Sequence, residues 1–296
     1  MKRTNNPECQ ILKDGRVYIE HGPVSMVVMA SKSAKVLTGL CLNSFEIVKQ
    51  ALAEIAGGLG ELTRYPDQIN MRNLEGLPLR MVKAVKQVEE PTLTPMATVA
   101  GVISDTVADW LKEQGADKVI VNNGGDIALR LEEGQTVRMG IQSNVNGTSM
   151  ETIVWINAKD HIGGVCTSGL GGRSFTRGIA NAVTIFSDRC ILADACATHI
   201  ANSSYVESPN VHTALAGNLR TDSDIADLSV VTKVVKLNKR EIEQGLGQIQ
   251  QASVRQIKKG NLKYVFADIC GTKFQWPASI PIIAAGNNNH SQEIKE

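Results

Sequence analysis

The stretch at 163–202, GGVCTSGLGGRSFTRGIANAVTIFSDRCILADACATHIAN, decides how the chain reads. Its first part gathers Gly163, Gly164, Gly169, Gly171 and Gly172 around Cys166, Thr167 and Ser168. Glycines at that density let a backbone approach a ligand closely or take positive φ. Its second part, IANAVTIF at 179–186, is a short run with β-branched residues, bounded by Gly178 and by Ser187-Asp188, and reads as a buried strand. The third part opens on Ser187 or Asp188 as N-cap and continues through the Ala-rich ILADACATHIA, which predicts a helix over 188–201. On that helix Asp194 and Thr198 stand four apart and share a face. A carboxylate and a hydroxyl one turn apart are two oxygen donors suited to a hard cation such as Mg²⁺. A helix cap plus ordinary packing would use the same two residues.

Upstream, TPMATVAGVISDTVADWLKEQGADKVIV predicts a helix over 95–113, with Thr94 as N-cap, Pro95 at the first position and Gly115 as the stop. Its first turns carry only small side chains at Ala97, Thr98, Ala100 and Gly101, which allow another backbone or a ligand to come close. A strand at 118–121 then runs into Asn122, Asn123, Gly124, Gly125 and Asp126 before a second strand at 127–131. The NNGGD turn is chemically a hairpin turn. It is also where a second polar wall of a site would stand.

Outside this core the pattern is plainer. Residues 10–30 predict a hairpin or a short series of sequential strands, broken at Asp14-Gly15 and His21-Gly22-Pro23. A surface helix is expected over 43–62, with Asn43 or Ser44 as N-cap and Gly57-Gly58 near its end, and a shorter one over 81–88 ahead of Pro91. Strands alternate at 137–142 and 151–157, VVTKVVKL reads as strand, and KREIEQGLGQIQQASVRQIKKG reads as an exposed helix. Residues 207–286 receive no role, and the polar end at 287–296 is expected to be a disordered tail after a single domain at 1–286. Helix, strand, turn and strand in this rhythm predict an α+β fold of antiparallel sheets.

A chain of 296 residues buries a substantial core without disulfide or metal staples. The formal charge of +1 excludes an electrostatic case for nucleic acid or a membrane surface as partner. Six cysteines with no CxxC pair, several in apolar surroundings, suit reduced thiols and a cytoplasmic location. The opening MKRTNNPECQ precedes no apolar signal region, and no run approaches the roughly 18 apolar residues of a membrane span. Five histidines with no HxxxH or HxH spacing argue against a His-rich zinc site. A homodimer is the expectation from base rates alone.

Taken together, VNNGGDIAL at 121–129, VCTSG at 165–169 and ADACATHIAN at 193–202 resemble, in this order, the superfamily of the bacterial flavin transferase ApbE, which moves FMN from FAD onto a protein threonine or serine. PMATVAG at 95–101, followed by the Asn/Gly turn, makes the chain most similar to a shorter branch of it. The resemblance spans roughly residues 80–206. It implies a T-fold-related α+β architecture of antiparallel sheets with helices packed outside. It further implies a Mg²⁺ ion held by Asp194, Thr198 and the backbone carbonyl of Cys166, with Gly124, Gly125 and Asp126 against a bound FAD. The family also carries an HxxDPxTG segment between TSG and the helix, and this chain has RSFTRGIANAVTIF there instead.

That departure shapes the functional expectation. The pocket residues are Asn122, Asn123, Asp126, Thr167, Ser168, Arg173, Arg177 and Asp194, a set able to orient a planar polar ring or an anion. The first expectation is a small-molecule enzyme that hydrolyses an amide or imide bond of a planar heterocycle, or a phosphoanhydride. In its metal-dependent form Asp194 and Thr198 hold Mg²⁺ while Arg173 or Arg177 steadies negative charge. In its metal-free form Thr167 or Ser168 attacks, with Asp194 or Asp126 as base; Cys166 is the weaker nucleophile. The alternatives are a Mg²⁺-dependent FAD:protein FMN transferase and a non-catalytic flavin- or nucleotide-binding protein.

Overall fold

The computed structural model describes residues 8–141 and 152–283. The expected tail at 287–296 lies outside them, as do Gln142 and Glu151 at the ends of two expected strands.

The punctuated start folds as expected. Strands β1 (Cys9–Ile11), β2 (Val17–His21) and β3 (Val24–Lys32) run sequentially, with a short β4 (Lys35–Val36) folding back on β3. Helix α1 (Thr38–Gly57) begins five residues before the expected Asn43. Ser44 is buried on its inner face with Cys41, Val48, Ala51 and Ile55, a three-and-four spacing that extends upstream of the polar residues taken for a cap. A single turn, α2 (Leu59–Leu62), leads to α3 (Gly76–Val88). Pro95–Thr98 forms a 3₁₀ turn before α4 (Val99–Glu113), so the small residues stand at the seam between two helix types.

Strands β5 (Lys118–Asn123) and β6 (Asp126–Leu131) are joined by Gly124 and Gly125 alone. Both take positive φ, +67° and +110°, the conformation a two-residue hairpin with right-handed strand twist demands. The hairpin β7 (Thr136–Ile141) and β8 (Thr152–Asn157) stands apart from the main sheet. The central stretch becomes β9 (Gly164–Ser168), a loop, β10 (Ala182–Ser187) and α5 (Cys190–Ser203).

The C-terminal part that the sequence left without a role supplies the sheet's far side. Strands β11 (Val211–Leu215) and β12 (Ser229–Val234) form a second separate hairpin, with the one-turn α6 (Ala216–Leu219) at its tip. Helix α7 (Lys239–Lys258) follows, started by a capping box between Asn238 and Glu241. Strands β13 (Tyr264–Ile269) and β14 (Thr272–Trp276) then complete one ten-stranded sheet in the order β1-β2-β3-β5-β6-β9-β10-β13-β14, with β4 beside β3 and every pairing antiparallel. The fold is α+β with antiparallel sheets and packed helices, as the sequence implied.

Each face of the sheet buries its own core. On one face Met26, Val28, Val119 and Val121 meet α1, α3, α4 and α5 through Val48, Met81, Ile103 and Ile200. On the other, Leu129, Phe186 and Phe266 meet Val154 and Ile156 of the β7–β8 hairpin together with Ile280 and Ile282. Among the described residues no helix is long and apolar enough to cross a membrane.

Helices α4 and α5 cross on the first core, and the crossing fixes the candidate site. At Gly101 a Cβ would stand 2.7 Å from the Cys190 carbonyl oxygen and 2.8 Å from Asp194 Cβ, so only glycine permits the approach. Here the bare start of α4 serves helix packing.

Candidate functional site

Where α4 meets α5, each helix caps the other. The first residue outside α5 is Arg189, which offers no side-chain cap. The missing acceptor comes from α4: Asp105 takes the N–H of Cys190 at 3.2 Å and that of Ile191 at 3.0 Å. In return Asp194 of α5 takes the N–H of Gly101, in the first turn of α4, at 2.8 Å. Two carboxylates thereby satisfy orphan donors at the positive ends of two helices. Asp105 is fully buried and is held by Arg130 Nη2 at 2.7 Å. Arg130 also binds Asp109, which Arg189 binds in turn at 2.5 Å. Against the opposing effect of burial, these two guanidinium groups keep the Asp109 carboxyl below its ordinary range.

Asp194 has no such counter-charge. Burial, then the negative charge of Asp126 and, more weakly, of Asp105, push its carboxyl well above the ordinary range, opposed only by the Gly101 N–H. Asp126 is pushed up to about 6 by burial, while the Cys166 thiol, the Thr167 N–H and the Arg173 charge act the other way. The buried Asp194 carboxyl thus stands within electrostatic reach of the half-buried Asp126 carboxyl. Thr198, one turn below Asp194 and half-buried, makes no hydrogen bond within the described residues. Among those residues no three His, Cys, Asp or Glu side chains cluster as a metal site. A cation here would therefore be held by a carboxylate with hydroxyl and carbonyl oxygens and water, a donor set that suits Mg²⁺. The uncompensated charge at Asp194 fits that ion.

The polar wall expected from the NNGGD turn is partly used up by the turn itself. Asn122 Oδ1 accepts the Gly125 N–H at 2.9 Å, and buried Asn123 Oδ1 accepts the Ser25 N–H at 3.4 Å, so both amides brace backbone. Arg173 lies directly over Gly124, where a Cβ would fall 1.6 Å from Nη2. This is the close approach the glycine permits. Thr167 Oγ1 and Thr184 Oγ1 share a hydrogen bond of 2.8 Å, and Ser168 has no side-chain partner within the described residues. Neither hydroxyl is paired with Asp126 or Asp194, so the metal-free nucleophile and base are not brought together. A serine or threonine lacking that pairing is a weak nucleophile. Cys166 contacts Cys190 with sulfurs 3.4 Å apart, and burial first of all raises the thiol of Cys166 far up and that of Cys190 to about 12. Neither thiol supplies a thiolate near neutral pH, and all six cysteines are unpaired.

Arg177 is not at the glycine-rich turns. Its Nη1 donates to Thr92 Oγ1 at 2.7 Å, and its N–H donates to Asn202 Oδ1 at 2.8 Å. It belongs to a second polar cluster that the sequence did not announce. Thr92 Oγ1 donates to Glu90 Oε1 at 2.7 Å, and the other oxygen of Glu90 faces His199 Nδ1 at 3.2 Å. His199, with Burial opposing, and the Thr92 hydroxyl lower the Glu90 carboxyl to about 2. Because that folded-state value lies below the ordinary 4.5 of a glutamate, the carboxylate stabilises the fold above about pH 4.5 and loses its contribution as pH falls toward 2. Glu90→Gln should therefore cost about 1–2 kcal/mol near neutral pH, a figure reduced for partial exposure. Urea midpoints measured down the pH scale should show the gap to wild type closing on acidification; a gap independent of pH would remove the carboxylate from this role.

Asp105 and Asp109 left one trace in the sequence, two acids four apart in the apolar run VISDTVADWL. Glu90, Thr92 and His199 left none.

Comparison with known proteins follows the same lines. The UPF0280 protein of Methanospirillum hungatei is 39% identical over 109 residues, 36% of this chain and 44% of that protein. The UPF0280 protein of Methanopyrus kandleri is 31% identical over 208 residues, 64% of this chain and 80% of that one. The chain thus spans less than half of the first relative's length. Among solved structures, the flavin transferase ApbE from Vibrio cholerae aligns over 88% of this chain and 96% of its own at 12% identity, with a TM-score of 0.49. None of these matches speaks for a hydrolase. The family model described as AbpE bacteria matches residues 9–273, nearly all of the ten-stranded sheet and both crossing helices, and the chain belongs to that ApbE-like family.

Proposed function

We propose that the protein is a Mg²⁺-dependent flavin transferase that moves FMN from FAD to a hydroxyl group of a protein acceptor. The observation that carries this reading is the buried carboxylate of Asp194, without a counter-charge among the described residues and set one turn above Thr198, whose hydroxyl makes no hydrogen bond among them, on the helix that bears the family's motif. Asp194, Thr198 and the Cys166 carbonyl would hold the cation. When bound, it neutralises charge on a diphosphate and polarises the P–O bond that breaks. The acceptor hydroxyl attacks the phosphorus on the FMN side, the bond to AMP breaks, and AMP leaves.

This chain's own residues then divide the remaining work. Arg173, whose Nη2 lies over Gly124, places a positive charge beside the turn and steadies phosphate oxygens. Asp126, with its carboxyl near 6, suits the role of proton acceptor for the attacking hydroxyl. The tight Gly124-Gly125 turn lets a planar ring lie against backbone. Arg173 and Asp126 thereby take up tasks for which this chain has no HxxDPxTG segment.

The test is AMP release from FAD, followed chromatographically with and without Mg²⁺ in the presence of a Thr- or Ser-bearing protein acceptor, beside thermal shifts with the same ligands. Mg²⁺-dependent AMP release with covalent FMN on the acceptor is the expected result. Tight flavin binding without AMP would favour a binding protein, and no response to FAD would overturn the flavin reading.

A further inference from the structure

Arg173 reaches the Gly124 turn with no bond of its own to hold it there. A Cβ on Gly124 would fall 1.6 Å from Arg173 Nη2, yet among the described residues the guanidinium makes no hydrogen bond or ion pair. Its placement therefore comes from the backbone that carries it. Arg173, Ser174 and Phe175 are the free span of the β9–β10 loop, where no backbone group is hydrogen-bonded among the described residues. The Phe175 ring adds one contact, with Arg220 at 5.9 Å.

Both ends of that span are fixed. On the β9 side the Gly171 N–H donates to the Asn181 carbonyl and the Gly172 N–H to the Gly169 carbonyl, each at 3.0 Å. On the β10 side the end of α5 takes hold. Asn202 Oδ1 accepts the Arg177 N–H at 2.8 Å and the Thr176 hydroxyl at 3.4 Å. Just past the helix, Ser204 Oγ accepts the N–H groups of Ile179 and Ala180 at 2.9 and 3.0 Å. Between these two holds the loop lies directly on the helix, since a Cβ on Gly178 would fall 1.8 Å from the Ala201 carbonyl oxygen. The Arg177 side chain braces the same point from the other side, through Thr92 at 2.7 Å, and the Val231 N–H holds the Thr176 carbonyl at 2.8 Å.

Of these holds, Asn202 stands on the face of α5 that carries Asp194 and Thr198, which recurs at four-residue steps. A rise of about 1.5 Å per residue sets it about 12 Å along the axis from Asp194. The structure assigns to Asn202 the positioning of Arg173: by holding Thr176 and Arg177 it fixes the end of the span that carries the guanidinium over Gly124. A chain extends at most about 3.5 Å per residue, so a span this short follows its ends. One rigid helix face then sets both the cation's carboxylate and the place of Arg173, and misplacing such a group by about 1 Å is enough to cost up to about 10²-fold in rate. The inference deepens the proposed function and rests on it for the phosphate group that Arg173 meets.

A double-mutant cycle tests it. Asn202→Leu keeps the volume and removes the acceptor, and Arg173→Met removes the charge. Wild type, both single variants and the double variant are compared in calorimetric affinity for inorganic pyrophosphate with Mg²⁺ and in the rate of AMP release from FAD. Arg173→Met should weaken pyrophosphate binding about tenfold and leave the melting temperature unchanged, because the side chain holds nothing in place. Asn202→Leu should weaken binding several-fold. The double variant should be no worse than Arg173→Met alone, since a residue that acts through Arg173 then has nothing left to position. Losses that multiply in both readouts overturn the proposal, and so does an Asn202→Leu variant that lowers only the melting temperature. Should Asn202→Leu fail to fold, Thr92→Val, which cuts the brace on Arg177 from the opposite side, enters the cycle under the same criterion. Coupling seen with pyrophosphate but no AMP from FAD keeps the positioning role and loses the flavin reading. AMP release with multiplying losses keeps only the flavin reading, and a wild type inert toward both ligands loses both.

Discussion

Asp105→Ala should lower the melting temperature by about 10 °C, among the largest losses available to a single side chain here. The carboxylate accepts two backbone N–H groups at the start of α5 and pairs with Arg130, whose side chain is only 10% exposed. Truncation leaves that guanidinium buried with Asp109 as its remaining carboxylate, and leaves two orphan donors at a helix end that has no cap of its own. Breaking one side of a buried pair costs about 3–5 kcal/mol, and a lost cap about 1 kcal/mol more. A second arm makes the cause specific. Adding Arg130→Met to Asp105→Ala should recover part of the loss, because removing both charges is cheaper than stranding one. Calorimetry on the four proteins of the cycle checks it; strictly additive effects, or a fall below about 2 °C for Asp105→Ala, would mean the bond is not coupled as described.

The second large effect separates two roles of one residue. Asp194→Asn keeps an amide oxygen where the Gly101 N–H can find it, and removes a charge that burial and Asp126 both oppose. Its stability should match or exceed wild type. Its Mg²⁺-dependent turnover should fall by about 10²–10³-fold, the usual scale for losing a group that organises charge in the transition state. Asp194→Ala should lose the same activity and, in addition, about 1 kcal/mol of stability with the cap. Activity in the Asn variant close to wild type would leave Asp194 as a helix cap and nothing more. That outcome would also remove the cation from the proposed reaction.

The two roles coexist because a carboxylate has two oxygens. Oδ2 is spent on α4, and the charge of the group as a whole is not cancelled by that bond. The same economy governs the neighbouring turn, where the amides of Asn122 and Asn123 are spent on the Gly125 and Ser25 N–H groups. Sequence reading gave both asparagines a ligand role because an Asn-rich turn looks alike whether its amides face backbone or solvent.

Much of this was legible in the chain alone. Strand alternation, the Gly124-Gly125 turn, the stop at Gly115 and the Ala-rich helix around Asp194 are local properties, decided by neighbours three or four positions away, and the elements form where those patterns lie. The family motifs were legible for the same reason. What the sequence could not declare is which distant atoms meet. Asp105 caps a helix 85 residues later, Asp194 one 93 residues earlier, and Arg177 turns to Thr92 across the same distance of 85. The partner in the first two cases is a backbone N–H, which every residue but proline owns, so no side-chain pattern marks it. Periodicity specified the helices and strands of this protein; only their packing, by bringing bare helix ends against buried carboxylates, decided which acids brace the fold and which of them, Asp105, also gains a counter-charge that Asp194 lacks among the described residues.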